Sequence, residues 1–589
     1  MKPRLLIHRP DKKTTGRIER LLNCSPVTAT LLANRGLTGG PETRTFLEAT
    51  LADIAPPATI RDLEKAVERI AAAVTGREKI MIFGDFDADG ITATAILYNF
   101  LRQAGADAVC HIPHRIMEGY GLKPEQISRV AVAGEVSLII TVDCGSGSLE
   151  AARACRKAGI DLIITDHHQM SPPFPKALAI VNPCRPDCES GLTQLCGAGV
   201  AFYLLIALRA RLRQEGFWTA DRPEPNLKQY CDLVAIGTIA DVVPLVGVNR
   251  ILVQAGLEVI NQAGRPGLEA LLTAAKINQR PVTAEDIAYK VAPRINAAGR
   301  IDHGRAALDL LIADDPQIIQ KTAARLCRLN TRRQFLEEEI TAEIFQVLNS
   351  QPDRAAHRKM LVMAHHQWHQ GVIGIAAART ARKYCLPVAL ITIQGDIGIG
   401  SARSIPGLDL YRALRDCADL LEDFGGHARA AGFKIKTENI PRLEQQLAYA
   451  IGLHSSPDQF TPLLEVDCEL PFEAITDRLL DELERLQPFG EQNPEPRFLA
   501  TNVNVASSFL IKNKYPKMVL TQSSSPAKKI NAISFNLPPG ENPPGHFRQI
   551  LFRLRRETWN GRGTPQLIVE AASESRFEEI NQGEDHGSV

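Results

Sequence analysis

Short apolar runs alternate with helix-length amphipathic stretches through the first half of this chain. Lys79–Gly84 is one such run, and 138–142 and 162–165 are two more. Helical spacing follows at 91–104 behind the first and at 148–158 behind the second. This alternation predicts a parallel α/β sheet, whose ligands collect beyond the carboxyl ends of its strands. A continuous apolar segment, 230–240, reads as a helix that delivers Asp241 just before Pro244. From 316 to 349 apolar residues recur at near-helical spacing (Leu326, Leu329, Phe335, Ile340, Ile344, Leu348), with no Gly or Pro after Pro316. One long helix bridging two lobes is the expected result. A second α/β unit follows, with strands at 359–364 and 388–394 around a helix at 371–384. Beyond 463 come short β-rich runs at 503–505, 517–520, 530–536, 549–554 and 566–569, separated by Ser, Pro, Gly and Asn clusters. These predict a small β-barrel or sandwich.

The expected fold class is therefore α/β, two α/β lobes joined by a long helix, with a β-barrel at the end. The boundaries read as a helical segment at 1–75, a first lobe at 76–262 and a helical connector at 263–352. A second lobe at 353–455, the barrel at 460–575 and a disordered acidic tail at 576–589 complete the chain. Several domains are required, since 589 residues exceed the roughly 250–300 at which a single core stops growing. A 44% apolar and 23% charged composition is that of an ordinary soluble protein. With a net charge of +1, any nucleic-acid footprint has to be local.

No apolar stretch is long enough for a bilayer, and the first residues lack the apolar core of a signal peptide, so a cytoplasmic protein with no membrane partner is expected. Twelve cysteines scattered over so long a chain read as reduced thiols. Cys184, Cys188 and Cys196 lie close together but form no C-x-x-C pair. Structural thiols are the first reading there and a zinc site the second.

The chemistry sits where the strand-like runs end. The first opens into Asp85-Phe-Asp87-Ala-Asp89-Gly90, the second into Asp143, and the third into Asp166-His167-His168. Carboxylates and imidazoles converging beyond one sheet repel one another and resist desolvation unless a cation neutralises them. Mixed oxygen and imidazole donors suit Mn2+ or Mg2+. Asp87, Asp89, Asp143, the His167-His168 pair and Asp241 could hold two such ions roughly 3.5–4 Å apart, an arrangement used for in-line phosphoryl displacement. The competing reading makes these residues N-caps and turn formers. In the second lobe Gly400-Ser401-Ala-Arg403 offers backbone N–H groups, a hydroxyl and a guanidinium, all suited to a terminal phosphate.

DFDADG, Asp143, Asp166-His167-His168 and Asp241 resemble the motifs of the DHH phosphoesterase superfamily. The segments 292–300 (APRINAAGR), 371–375 (GVIGI), 400–403 (GSAR) and 425–432 (GGHARAAG) extend the resemblance to the RecJ exonuclease family over nearly the whole chain. It implies lobes of the DHH and DHHA1 type, an OB-fold barrel, and a 5′→3′ exonuclease acting on single-stranded DNA with two Mn2+ or Mg2+ ions. By position, Asp87, Asp89, Asp143, His167 and Asp241 would be metal ligands, His168 would contact the scissile phosphate, and Asp85 would support the ligands. Arg115, Ser401 and Arg403 would seat the 5′ phosphate, with Arg294 and Asn296 facing phosphates. Capping is the alternative for Asn296, and His427 either lines this cleft or packs structurally. Recombination and repair, contact with a single-stranded-DNA-binding protein and a RecQ-type helicase, and a monomeric state are family-level implications.

Residues 497–573 carry eleven Lys or Arg (497, 512, 514, 517, 528, 529, 548, 553, 555, 556, 562) against Glu541, Glu557 and Glu570. Phe509, Tyr515, Phe535, Phe552 and Trp559 are interleaved, giving charge for a backbone and rings for bases. Where family members tend to show His-Leu-Lys this chain has Tyr515-Pro516-Lys517, which predicts an edge or bulged strand. Two other readings stay open. A phosphodiesterase of cyclic dinucleotides or short oligonucleotides is disfavoured by Phe83, where small DHH enzymes carry His. A non-catalytic replication-scaffold relative would have lost the acidic residues that this chain keeps.

Overall fold

The computed structural model describes residues 3–278, 281–351, 358–537, 543–559 and 562–580. The chain divides into two units, one of Thr50–Ser456 and one built from Met1–Ala49 together with Pro457–Val589.

In the first unit, five parallel strands lie in the order Ala108–His111, Lys79–Gly84, Val136–Val142, Asp161–Thr165, Ala179–Val181. Successive side chains of a strand point to opposite faces, and both faces here are covered. Ile80, Ile82, Leu138, Ile140 and Val142 pack with Ile96 and Leu204 of helices Ala88–Gln103 and Gly197–Gln214. Met81, Phe83, Ile139, Leu162 and Ile164 pack with Ile127, Ala151 and Cys155 on the other side. Burial on two faces explains why these strands read as unbroken apolar runs. From Lys79–Gly84 the chain adds its next strand on one side and all later ones on the other. The crevice between this strand and Val136–Val142 is thus a topological switch point, where such sheets bind ligands.

Helix Pro316–Ser350 starts at Asp315, whose side chain accepts from the Gln317 and Ile318 amides. Its first half sends Ile319, Ala323 and Leu326 into the first-lobe core; its second half sends Ile340, Ile344 and Leu348 into the second-lobe core. Phe335, expected on the apolar face, is 48% exposed, because it falls where the helix passes from one core to the next. The second lobe is a mixed sheet in the order Leu421–His427, Ala430–Lys436, Ile397–Arg403, Val388–Gln394, Leu361–His365, with only the last pair parallel.

In the second unit, strands Phe498–Ile511, Tyr515–Gln522, Ser525–Ser534, His546–Trp559 and Arg562–Ser573 form a barrel, closed by pairing of the first with His546–Trp559. The strand of Pro516 is not an edge, since it pairs on both sides, but its ladders are irregular as expected, with register shifts between Val505 and Ser507 and between Leu520 and Gln522. Pro516 itself pairs with Leu510, while pairing with Ser525–Ser534 begins only at Lys517. The N-terminal residues also depart from expectation. Arg4–Ile7 is a strand, paired in parallel with Leu463–Val466 and with Glu578–Ile580 of the supposed tail. Ile18, Leu31 and Leu32 belong to the barrel's core. Residues 581–589 of the expected tail lie outside the described residues.

Candidate metal centre

Strand Lys79–Gly84 turns directly into helix Ala88–Gln103, and Asp87 is the N-cap. Its Oδ1 accepts from the Asp89 and Gly90 amides, each at 3.1 Å, leaving Oδ2 free for another partner. Asp89 is 1% exposed and accepts from the Gly197 amide at 2.6 Å and the Ala198 amide at 2.9 Å. These amides open helix Gly197–Gln214, so its partial positive end faces the carboxylate. Asp143 follows strand Val136–Val142 with φ +60°, and Val242, directly after Asp241, has φ +59°. Positive φ is costly for Asp and more so for a β-branched residue, and such strain concentrates at functional sites. Two glycines admit the close packing: a Cβ on Gly197 would stand 2.5 Å from the Asp143 Cβ, and one on Gly237 2.5 Å from Asp89 Oδ1.

The structure gathers Asp85, Asp87, Asp89, Asp143, His167, His168 and Asp241 into one pocket. Three overlapping sets have ligand atoms within 4.8 Å of one another: Asp85 with Asp87 and Asp143, Asp89 with His167 and Asp241, and Asp143 with His167 and His168. Asp85 Oδ1, Asp143 Oδ1 and His167 Nε2 are buried without hydrogen-bond partners. His167 Nε2 lies 3.0 Å from Asp143 Oδ1, yet the two are not aligned as donor and acceptor. Burial raises the carboxyl pKa values of Asp85 and Asp143, and neighbouring Asp residues raise them further. Burial likewise raises Asp89, and with Asp89 and Asp87 nearby it lifts Asp241 to about 8. Orphaned donors and crowded carboxylates are what a pocket for divalent cations requires, so these residues fit Mn2+ or Mg2+.

The cysteines fit no such role: among the described residues no candidate donor set contains one. Cys184 Sγ donates to the Thr193 carbonyl, Cys188 Sγ to Ser190 Oγ, and Cys196 Sγ caps a helix by accepting from Gly199. These contacts are those of structural thiols.

His168 has hydrogen-bond partners of its own. Its Nδ1 lies 2.8 Å from Asp166 Oδ1 and 3.2 Å from Tyr120 Oη. Burial opposes its charge, but the Asp166 carboxylate raises its pKa to about 9. Burial opposes Asp166 too, yet His168, His167 and the Ser146 side chain hold it at about 2, and the Ser146 amide donates to its Oδ2 at 2.9 Å. Asn296 caps: its Oδ1 accepts from the Ala88 amide at 2.9 Å, steadying the turn that carries Asp87 and Asp89. Arg294 turns elsewhere, with Nη1 donating to the Lys290 carbonyl and Nε to Cys327 Sγ.

Ser401 and Arg403 sit on strand Ile397–Arg403, with Arg403 Nη1 donating to Ser401 Oγ at 3.1 Å and to the Ala402 carbonyl at 2.8 Å. Gly374 backs them: a Cβ there would stand 2.8 Å from both side chains. Arg115 lies over the Phe86 ring at 4.7 Å. Burial lowers the pKa of Arg115 and Arg403, and the nearby Arg115 lowers Arg403 further. His427 pairs with Ala430, which pairs with Arg403. It is exposed on the same sheet face as Arg403, two strands and roughly 10 Å away.

The DHH family N-terminal domain matches residues 79–238, the DHHA1 domain 357–452 and the RecJ OB domain 466–571. The single-stranded-DNA-specific exonuclease RecJ of Bacillus subtilis is 34% identical over 98% of this chain and 72% of its own length. The Escherichia coli protein of the same name is 33% identical over 92% of this chain and 95% of its own length. This chain belongs to the RecJ family. Among solved RecJ structures, that of Thermus thermophilus in complex with Mn2+ matches with a TM-score of 0.83 at 29% identity, covering 98% of this chain and 80% of that one. The Mg2+ complex from the same source gives a TM-score of 0.76 at 28% identity over the same shares.

Within this RecJ scaffold, three residues outside the sequence-derived site set have a place in it. Asp166 orients His168, and its position in the triplet was the available signal. Tyr120, partner of His168, left no signal in its neighbourhood. Arg300, at the end of the 292–300 segment, lies close enough to Arg115 and Arg403 to feel their charge.

Proposed function

We propose that this chain is a metal-dependent exonuclease that degrades single-stranded DNA from the 5′ end, releasing 5′ mononucleotides in recombination and repair. The observation that carries this reading is the pairing, in one unit, of overlapping Asp and His donor sets with an arginine-lined seat. Divalent ions bound by Asp87, Asp89, Asp143, His167 and Asp241, with Asp85 beside them, would supply Lewis-acid polarisation of the phosphodiester and activation of water. Asp87, Asp89 and Asp143 are fixed before substrate arrives by capping, by the end of a helix and by a strained backbone. Their geometry therefore needs no rearrangement during reaction. His168, kept protonated by Asp166, is poised to donate to a phosphate oxygen as charge develops. Arg115, Ser401 and Arg403 bind the terminal phosphate, and His427 borders their sheet face. Arg294 acts on substrate only if its guanidinium leaves Lys290 and Cys327.

The barrel contributes less positive charge than its composition implied. Arg497, Lys517, Arg553, Arg555 and Arg556 are paired with Glu570, Glu557, Glu495, Asp481 or Glu484. Phe552 fills the core, whereas Phe509 and Phe535 are 61% and 54% exposed and Tyr515 packs against Phe535 at 5.2 Å. The Trp559 and Arg562 side chains lie outside the described residues. The exposed rings, near Lys512 and Lys514 of the hairpin, support stacking of single-stranded bases. Twelve free cysteines support a reducing, cytoplasmic setting; among the described residues no helix is long and apolar enough to cross a membrane. A single-stranded-DNA-binding protein and a RecQ-type helicase are the partners that fit this role.

The test is digestion of 3′-labelled single strands, bearing a 5′ phosphate or a 5′ hydroxyl, with Mn2+ or Mg2+ and with duplex as control. Mononucleotides leaving from the 5′ end of single strands only are expected. Release from the 3′ end, or equal digestion of duplex, refutes the reading.

A further inference from the structure

Helix Pro316–Ser350 is divided in charge as it is in packing. Residues 316–334 hold five Lys or Arg and no Asp or Glu; residues 335–350 hold four Glu and no Lys or Arg. A helix dipole favours the opposite order, and acids one turn from the cations would have stabilised the exposed face. Neither device is used in the first half, so its charge serves something other than the helix.

Lys321, Arg325, Arg328, Arg332 and Phe335 recur at steps of four, three, four and three residues, which puts them on one face. All five are exposed, roughly half a turn from Ile319, Ala323 and Leu326, which enter the first-lobe core. The stripe is about 21 Å long. Arg325 pairs with Asp302 and Arg333 with Glu337, but among the described residues no carboxylate lies within ion-pair distance of Lys321, Arg328 or Arg332. The Arg332 guanidinium lies over the Phe335 ring at 5.3 Å. Neither lobe's core takes this ring, which is 48% exposed. A ring with a cation on one face and solvent beyond is a platform for a nucleobase.

The basic half leads toward the pocket. Burial, then the Arg332 charge, lowers the His369 pKa. A Cβ on Gly371 would stand 3.2 Å from His369 Cε1 and would also meet the Arg300 carbonyl oxygen. Arg300 in turn feels the charges of Arg115 and Arg403. Exposed cations, an open ring and the terminal-phosphate seat thus follow one another.

We propose that the first half of helix Pro316–Ser350 is a binding track for single-stranded DNA beyond the pocket, where Lys321, Arg328 and Arg332 hold backbone phosphates and Phe335 stacks a base. It grips the 3′ continuation of the strand whose 5′ end is being cut. The nucleotide nearest the pocket meets Phe335 and Arg332, and later ones meet Arg328 and Lys321. The glutamates beyond residue 335 repel the strand from the rest of the helix. This rests on the proposed exonuclease reading.

Cleavage of 5′-phosphorylated strands of graded length by the full chain with Mg2+ tests the track. In the parent, kcat/KM should rise with length through KM as the track fills. In Arg328→Gln/Arg332→Gln the advantage of a long strand over a dinucleotide should shrink roughly tenfold, and the log–log salt dependence of KM on the long strand should become shallower by about 1.4, at about 0.7 per phosphate contact. Arg328→Lys/Arg332→Lys, which keeps the charge, should keep the parent's salt dependence. Phe335→Ala should shrink the length advantage by a similar factor, and Phe335→Tyr, which keeps a ring, should restore it. An unchanged length advantage, including one left by an equal loss on short and long strands, removes the substituted residues from the track; in both the Gln and the Ala variants it overturns the proposal. A parent with no length advantage overturns it as well. A parent that does not degrade single strands from the 5′ end fails at the proposed function, and this inference falls with it. A parent that does so, with variants that match it at every length, removes the inference alone.

Discussion

Replacing Asp241 with Asn should make the metal-free protein more stable while removing its response to metal. Asp241 and Asp89 belong to one donor set whose atoms lie within 4.8 Å of one another. At an effective dielectric of about 20, ionising both at that separation would cost about 3 kcal/mol of repulsion, which the metal-free protein escapes at neutral pH by keeping Asp241, with its pKa of about 8, largely protonated, itself a cost that Asn avoids. Asp241 is 28% exposed on its side chain, so water lowers this figure, and its attraction to the charged His168 lowers it again. A net gain of about 1–2 kcal/mol for Asp241→Asn in chelator follows, equivalent to a few degrees in Tm. Asn is close in shape, so no cavity offsets the gain. With Mn2+ the order reverses, because the parent gains the linkage free energy of a tightly bound ion and the variant loses most of it. Thermal melts of both proteins in chelator and in graded Mn2+ provide the measurement. A metal-free variant that melts below the parent, or one that keeps the parent's Mn2+ shift, refutes the electrostatic account of the pocket.

Asp143→Ala should abolish cleavage while leaving single-stranded DNA binding largely intact, since phosphate contacts elsewhere carry the affinity; appreciable turnover would defeat the metal assignment. Phe509→Ala and Phe535→Ala should each weaken binding of a long single strand about tenfold, the usual range for one stacked base. Fluorescence anisotropy reads this, and unchanged affinity in both variants removes the barrel from the DNA path. Glu482 accepts from the Ser25 amide, from Ser25 Oγ at 2.5 Å and from Thr28 Oγ1 at 2.7 Å. Burial works to raise its pKa, but these bonds outweigh it and hold the pKa low. Its stabilisation is thus fully present above the ordinary Glu range and is lost as pH falls through the lowered value. Glu482→Gln should cost about 1–3 kcal/mol at pH 7 and progressively less below pH ~4 in urea melts; a gap that does not change with pH would sink the assignment.

What the sequence made legible was local or periodic. Lys79–Gly84 and Val136–Val142 announced themselves as strands because burial on both faces leaves them almost wholly apolar, with Lys79, Ser137 and Thr141 the exceptions. The acids at their ends then fell at a switch point, since strand order follows from crossover rules. The second lobe's Ser401 and Arg403 were legible from the donor chemistry of the Gly400–Arg403 motif and its family resemblance, whereas the strand that carries them was not. Illegible features depended on partners distant in sequence. Arg4–Ile7 is too short for a pattern, and it pairs with residues 463–466 and 578–580, more than 450 positions away. The basic count of the barrel misled because it stopped at residue 497: Asp481, Glu484 and Glu495, just before it, neutralise Arg553, Arg555 and Arg556. Arg294 and Arg300 show the limit most clearly. Both lie in one ten-residue helix, six positions apart, and residue type could not tell them apart. Six residues on a helix of 3.6 per turn is a rotation of roughly 240°, which sends Arg294 to Cys327 and Arg300 to the other arginines. Which of two like residues reaches a site is decided by helical phase relative to a neighbouring lobe, and only the folded chain sets that phase.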